Sequence, residues 1–409
     1  MSLKLSIADA AASLIDCSLR SFRGELHRYV VQTMYSRLQR WWESDSLLND
    51  LNIQMATPRY VQPDASDRQL VDRIFGAFRQ AKHDQEQKDE VFMPSTYWQG
   101  FLDASYPSYR NTDIDQFHFF LSNFGAWESY LGINWTYLLR QYAGSPRSRR
   151  HFEKAVIGRK VGWWLRFESR GRDISALSQP RYGNQWGASV NGHFITYESV
   201  LNEFYGRMIS NLVRQDRPVV GEIGAGYGVL FYFVARALSD FCYLDFDLPE
   251  TLSCATYYLM KSFPGKKFLL YGEGNLDEDA LREYDFVLMP SFAIEELPSN
   301  SVDMFINMSS LGEMKPSTGR VLVRQICRVS DAFWHMNHEY VRNAFEDGTS
   351  SLVNSEYPVP EEEFELVVRY IDALNAVWQG AFEPGYDIYG YYYARKRTTH
   401  SSRCHLASG

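Results

Sequence analysis

Cysteine is scarce in this chain and carries no pattern. Its five copies, Cys17, Cys242, Cys254, Cys327 and Cys404, form no C-x-x-C pair and no zinc spacing, which excludes a zinc ribbon and provides no disulfide framework. Cys242 and Cys327 lie in apolar segments and read as small core residues. Reduced thiols of this kind suit the cytoplasm. Long apolar runs are missing as well: no segment approaches the ~20 residues needed to span a bilayer. The first twenty residues lack the basic start and apolar stretch of a secretory leader. Positive charge is not in excess. The 409 residues hold 42 Lys+Arg against 50 Asp+Glu, a formal net charge of −8, which argues against general nucleic-acid binding. That length predicts two or three domains with ample core.

What the chain does contain is concentrated in Val219-Val220-Gly221-Glu222-Ile223-Gly224-Ala225-Gly226-Tyr227-Gly228. The stretch reads as a buried strand, a glycine-rich turn and a helix starting near Val229. Glycines at alternate positions let the backbone turn sharply and bring bare N–H groups close to a ligand. A dinucleotide-binding dehydrogenase requires G-x-G-x-x-G, and Val229 stands where its third glycine belongs. The spacing here is G-x-G-x-G, with Glu222 two residues ahead. This acid-first form resembles the pattern of class I S-adenosylmethionine methyltransferases. The resemblance implies that Glu222 helps hold the cationic methionine end of the cofactor and that Gly224, Gly226 and Gly228 make room for it.

The next strand, Phe241 to Leu248, ends in acids. In a βαβ unit the acid closing the second strand accepts hydrogen bonds from two ribose hydroxyls, and a carboxylate is acceptor-only. Asp247, followed by Leu248-Pro249, is the expected ribose ligand. Asp245 is expected on the opposite face, or as an ordinary strand-end acid.

Residues 1–145 read as a mainly helical domain. Phe22 to Trp41, then Leu70, Ile74 and Phe78 after a cap at Ser66 or Asp67, then Ile114, Phe117, Leu121 and Phe124, all recur at helical spacing. The region is rich in aromatics, including Tyr97, Trp98, Trp127 and Trp135; these either fill helix interfaces or stack on sugar faces. Residues 146–215 read as a basic helical linker or pre-domain segment that contributes to the substrate site. Its cluster from Arg147 to Arg181 is either an anion site for an acceptor or a solvated face. Residues 216–397 alternate strand and helix signals and read as α/β. Residues 398–409 are a polar tail.

Further blocks follow in order: Val302-Asp303-Met304-Phe305-Ile306-Asn307, then Ser309-Ser310-Leu311-Gly312-Glu313-Met314, then Met336-Asn337-His338-Glu339. With Glu222 to Gly228, Asp247-Leu248-Pro249 and the upstream Pro180 to Asn184 and Gly192 to Thr196, these resemble the sugar O-methyltransferase family over roughly 175–395. One departure is Thr196-Tyr197-Glu198, where the family carries Ser-x-Asp. The resemblance implies a Rossmann-like, seven-stranded class I methyltransferase sheet whose last two strands form an antiparallel hairpin. It also implies S-adenosylmethionine as cofactor, leaving as S-adenosylhomocysteine, and a sugar or glycoside hydroxyl as acceptor.

A sugar hydroxyl needs a base within hydrogen-bond reach. His338, at the end of its strand, is the first choice, and Glu313 the second. His335 lies three residues from His338 and so faces the other side; His193 is an outside candidate. Asn307 either holds the methionine end or caps its strand. Ser291 and Phe292 are placed to line the adenine. No metal motif is present; Glu313 and Glu339 are possible contributors, but Asp303 begins a strand too far away, so no metal is expected. Other acceptors remain open: an amine of an amino sugar, a hydroxyl or amine of a non-sugar metabolite, or none at all in a non-catalytic cofactor-binding scaffold. The sequence leaves room for a homo-oligomer.

Overall fold

The computed structural model describes residues 51–56, 59–105, 113–126, 157–372 and 387–396. The expected helix at 22–41 and the tail at 398–409 lie outside these. Among the described residues the first element is a short strand β1 (Ile53–Met55), followed by helices α1 (Arg68–Gln85), α2 (Thr96–Ser105), α3 (Ile114–Asn123) and α4 (Arg159–Trp163). Strands β2 (Ala188–Val190) and β3 (His193–Ile195) and helix α5 (Ser199–Leu212) lead into the large sheet.

That sheet is built from β4 (Val219–Ile223), α6 (Val229–Ala235), β5 (Cys242–Asp247), α7 (Pro249–Ser262), β6 (Phe268–Leu270), α8 (Glu278–Glu283), β7 (Phe286–Pro290), β8 (Met304–Met308), α9 (Pro316–Val329), β9 (Ala332–His338), β10 (Phe364–Ile371) and β11 (Ile388–Arg395). The order is β10-β11-β9-β8-β4-β5-β7-β6. Strands β9, β8, β4, β5, β7 and β6 run parallel, and β10 and β11 close one edge as an antiparallel pair. This is a Rossmann-like α/β sheet. It exceeds the seven strands implied by the resemblance by one, the three-residue edge strand β6 beside β7.

The parallel strands read as continuous apolar runs because helices cover both faces. Every residue of β7 is buried. Helices α7 and α9 both open on proline, whose fixed φ suits the first helical position and whose missing N–H costs nothing there.

Helix α1 buries Val71, Ile74, Phe78 and Ala81, one stripe at three- and four-residue spacing, and packs against α7. Asp67 stands at the expected cap position, but its carboxylate caps nothing. It accepts instead from Tyr257 Oη at 2.9 Å and pairs with Lys261. Arg73 forks onto Glu273 at 2.6 and 2.7 Å, and Tyr271 Oη donates to Asp84 at 3.0 Å. The helical layer is thus bonded along its length to the α/β layer.

The region expected to be mainly helical also supplies β1, which pairs with β2 and, through it, β3 in a separate three-stranded sheet. Three-residue strands give no readable alternation. Among the described residues no helix is long and apolar enough to cross a membrane.

Candidate active site

Strand order reverses at β4, which has β5 on one side and β8 on the other. Crossovers leave the sheet on opposite faces there, opening a crevice at the carboxyl ends of the strands. A cavity of about 230 Å³ occupies it, lined by Glu222, Gly224, Gly226, Asp247, Leu248, Ser291 and Glu313 among others. Seven of the ten site residues expected from sequence therefore meet in one place.

The glycine turn has its form for a steric reason. Gly224, Gly226 and Gly228 have φ of +73°, +65° and +78°, the left-handed region that side chains avoid. A Cβ on Gly224 would lie 2.2 Å from Ser310 Oγ. Gly228 does not reach the cavity. It caps α6, and a Cβ there would press on Leu259 at 2.9 Å; its role is to turn the chain into the helix.

Two carboxylates flank the turn. Glu222 is buried and accepts the Tyr243 hydroxyl at 2.6 Å; burial pushes its carboxyl up to about 7. Asp247 accepts Gly226 N–H at 3.2 Å and Leu248 N–H at 2.7 Å, one on each oxygen. Each oxygen keeps a lone pair for a further donor. Burial raises Asp247 to about 6, against the pull of its Thr251, Leu248 and Gly226 bonds.

Asp245 is a correction. Residues two apart in a strand share a face, so it lies beneath Asp247 rather than opposite it, fully buried. Burial, reinforced by Asp247 and Glu222, pushes its carboxyl well above the usual range and so favours the protonated form. A neutral isostere should therefore be tolerated there and not one step along the strand. Asp245→Asn is expected to leave affinity for an adenosyl ligand within about threefold, whereas Asp247→Asn weakens it at least about tenfold by calorimetry. Equal losses would remove Asp247 from the binding surface.

Asn307 is buried behind the cavity wall and does not line it. Its amide donates to Ile223 O at 2.9 Å and to Ser310 Oγ at 2.5 Å, and its Oδ1 accepts Asn337 Nδ2 at 2.9 Å. Asn337 in turn accepts Gly312 N–H at 3.1 Å. The two asparagines fix the loop from Ser309 to Glu313, which turns sharply at Ser309 (φ +70°). Asn307 braces the site; Met308, Ser309 and Ser310 beside it line the cavity.

His338 also stands off the cavity wall. Its Nδ1 lies 2.7 Å from Asp387 Oδ1, and Asp387 further accepts Tyr340 N–H and Val341 N–H. The pair ties the end of β9 to the start of β11. Glu313 does line the cavity. Trp98 Nε1 donates to its Oε2 at 3.0 Å, and withdrawal from water pushes the carboxyl up to about 7. His335 lies on the other face as expected, buried against Tyr391, Tyr393 and Phe333, and burial pushes it down to about 3. His193 sits in β3 and Phe292 packs on Phe92 and Tyr271, both outside the lining. Glu339 is held by Arg369, Tyr391 and Asn354, and Asp303 receives Val219 N–H.

Other walls come from the amino-terminal region and from the 146–215 segment expected to contribute to the substrate site. Phe92 to Ser95 and Trp98 close one side, and Tyr197, Glu198, Asn202, Tyr205 and Asp372 another. Thr196, next to these, joins a buried knot in which Gln179 Nε2 donates to Tyr227 Oη at 3.3 Å while Gln179 Oε1 accepts Ser199 and Thr196 hydroxyls at 3.0 and 3.3 Å. The threonine of the divergent Thr-Tyr-Glu block therefore fastens the pre-domain segment to the glycine turn, and Glu198 faces the cavity. No described basic side chain of the Arg147–Arg181 cluster lines it. Lys160 is buried with its ammonium on Tyr197 O at 3.0 Å, and Arg172 is paired with Glu203.

No family model matches this chain, and no curated protein matches it. Solved structures do. A glycopeptide N-methyltransferase complexed with sinefungin is 11% identical, over 48% of this chain and 87% of that one, at a TM-score of 0.32. Geranyl diphosphate C-methyltransferase from Streptomyces coelicolor, in complex with Mg2+, geranyl diphosphate and S-adenosyl-L-homocysteine, is 10% identical over 55% and 88%, at 0.33. A SAM-dependent methyltransferase from Aquifex aeolicus is 13% identical over 48% and 92%, at 0.26.

Proposed function

We propose that the protein is an S-adenosylmethionine-dependent methyltransferase acting on a hydroxyl of a sugar or glycoside. The observation that supports this most directly is the convergence of Glu222, the Gly224–Gly226 turn and Asp247 on one cavity at the switch point of the sheet. The residues suit the cofactor. Asp247 has acceptor capacity left on both oxygens for two ribose hydroxyls, Glu222 offers a carboxylate to a cationic methionine end, and the glycine turn lets the backbone approach closely. When bound, the cofactor supplies a methyl group already activated on a sulfonium.

The chain's own work is to orient the acceptor and remove its proton. Glu313 is the group for the second task, because it lines the cavity and its affinity for a proton is matched to neutral pH. Glu313 would take the hydroxyl proton of an acceptor held in the cavity. His338 steadies the β9–β11 junction instead.

The acceptor is neutral or cationic. Glu198, Glu222, Asp247, Glu313 and Asp372 all line the cavity, while Lys315 is the basic side chain among the described lining residues and pairs with Glu90 and Asp347 at 3.3 and 3.7 Å. This wall also supports a second reading, an amino sugar as acceptor.

Calorimetry with S-adenosylhomocysteine, followed by labelled-methyl transfer onto neutral, amino and phosphorylated glycosides, tests these readings. Binding and transfer to neutral or amino sugars, with phosphates poorest, is the expected result. Absence of binding overturns the cofactor assignment, and preference for phosphates overturns the acceptor class.

Protonation adds a check. Glu222 and Asp247 hold protons up to about 7 and about 6 and attract a cation only when ionised. Affinity for S-adenosylmethionine is therefore expected to fall about tenfold between about pH 8 and about pH 5.5, with proton release on binding in that window.

A further inference from the structure

The segment before and into α2 is bonded onto the cavity wall at several points. Thr318 Oγ1 donates to Val91 O at 2.6 Å, Ser95 Oγ donates to Glu313 O at 2.8 Å, and Glu346 N–H donates to Thr96 Oγ1 at 3.1 Å. Ser95 also accepts Trp98 N–H at 3.3 Å, so one hydroxyl both starts the helix and grips the Glu313 backbone. These bonds leave the Trp98 indole facing the Glu313 carboxylate, 215 residues away in sequence, with Nε1 on Oε2 at 3.0 Å.

An indole N–H can only donate, so this contact favours the ionised carboxylate. It also occupies one oxygen and fixes the plane of the group. Trp98 lines the cavity beside Glu313, and the bond crosses from the helical layer to the loop after β8.

We propose that Trp98 is a positioning residue for proton removal, its indole N–H orienting the Glu313 carboxylate and holding it ready to accept a proton from the acceptor. The proposal rests on Glu313 being the base, and it makes the helical layer part of the catalytic apparatus as well as its cover. Phenylalanine keeps the ring and loses the donor.

The test begins in ligand-free protein, which separates it from the question of turnover. Carboxyl infrared or selective-label NMR titration of Glu313, identified by its loss in Glu313→Gln, is expected to show the midpoint rising by about one pH unit in Trp98→Phe. The low-pH limb of kcat should move by the same amount, with kcat recovering above it and S-adenosylhomocysteine affinity unchanged within about twofold. An unmoved midpoint in folded Trp98→Phe, or a rate loss equal at every pH, overturns the proposal.

One measurement needs no tryptophan variant. With 15N-tryptophan labelling, the Trp98 Nε1–H resonance should titrate with the Glu313 midpoint and cease to do so in Glu313→Gln; a resonance indifferent to Glu313 overturns the proposal even if Trp98→Phe does not fold. Coupled titration without methyl transfer would instead refute the assigned function and leave the coupling standing.

Discussion

Gly224→Ala is expected to abolish useful cofactor binding, raising the dissociation constant at least about 100-fold. Two costs combine. The backbone there has φ +73°, which costs an alanine roughly 1–2 kcal/mol. The new Cβ would also stand 2.2 Å from Ser310 Oγ and 2.5 Å from Ser310 Cβ. Ser310 cannot simply rotate away, since its hydroxyl donates to Ile223 O at 2.9 Å and receives Asn307 at 2.5 Å.

Either the glycine turn or the loop from Ser309 to Glu313 must shift, and both line the cavity. Gly171→Ala is the matched control: φ is +82° and nothing lies within 4 Å of the added carbon, so it carries the backbone cost alone. The Gly224→Ala, Ser310→Gly double variant should recover part of the affinity. Calorimetry with S-adenosylhomocysteine reads all three. An affinity equal to wild type in Gly224→Ala would mean that the cofactor does not lie over this turn.

Glu313→Gln is expected to lower kcat by about 10²- to 10⁴-fold with cofactor affinity changed less than about threefold. The amide keeps the shape and cannot take a proton. In the wild type, kcat should rise with pH through about 7, where Glu313 ionises; in the variant that rise should vanish. His338→Ala should lose less than about tenfold, because its Nδ1 is committed to Asp387 and its side chain does not line the cavity. If the two variants exchange roles, with His338→Ala the severe one, the base is the histidine.

The glycine-turn half of the candidate site could be read in the chain because its signals are local. The glycine turn, its leading acid and Asp247 fall within one βαβ unit, where strand, turn and strand fix their relative places. Polar residues at the end of β8 were harder. Asn307, Ser309 and Ser310 are near neighbours, and only the left-handed Ser309 determines that Ser310 meets the cavity while Asn307 turns inward. His338 was placed on the right strand end, but its partner arrives from β11, 49 residues later. Trp98 was visible only as one aromatic among many. Nothing in a linear pattern reports a bond spanning 215 residues.

The Arg73–Glu273, Tyr271–Asp84 and Lys82–Glu250 bonds between α1 and the α/β layer have an outcome for protein engineering. Grafting a foreign amino-terminal region to obtain a new acceptor range would sever these clasps together with Trp98. Retargeting is better pursued by exchanging individual side chains along Phe92–Trp98 and Tyr197–Tyr205, since in this architecture selectivity and cohesion come in one piece.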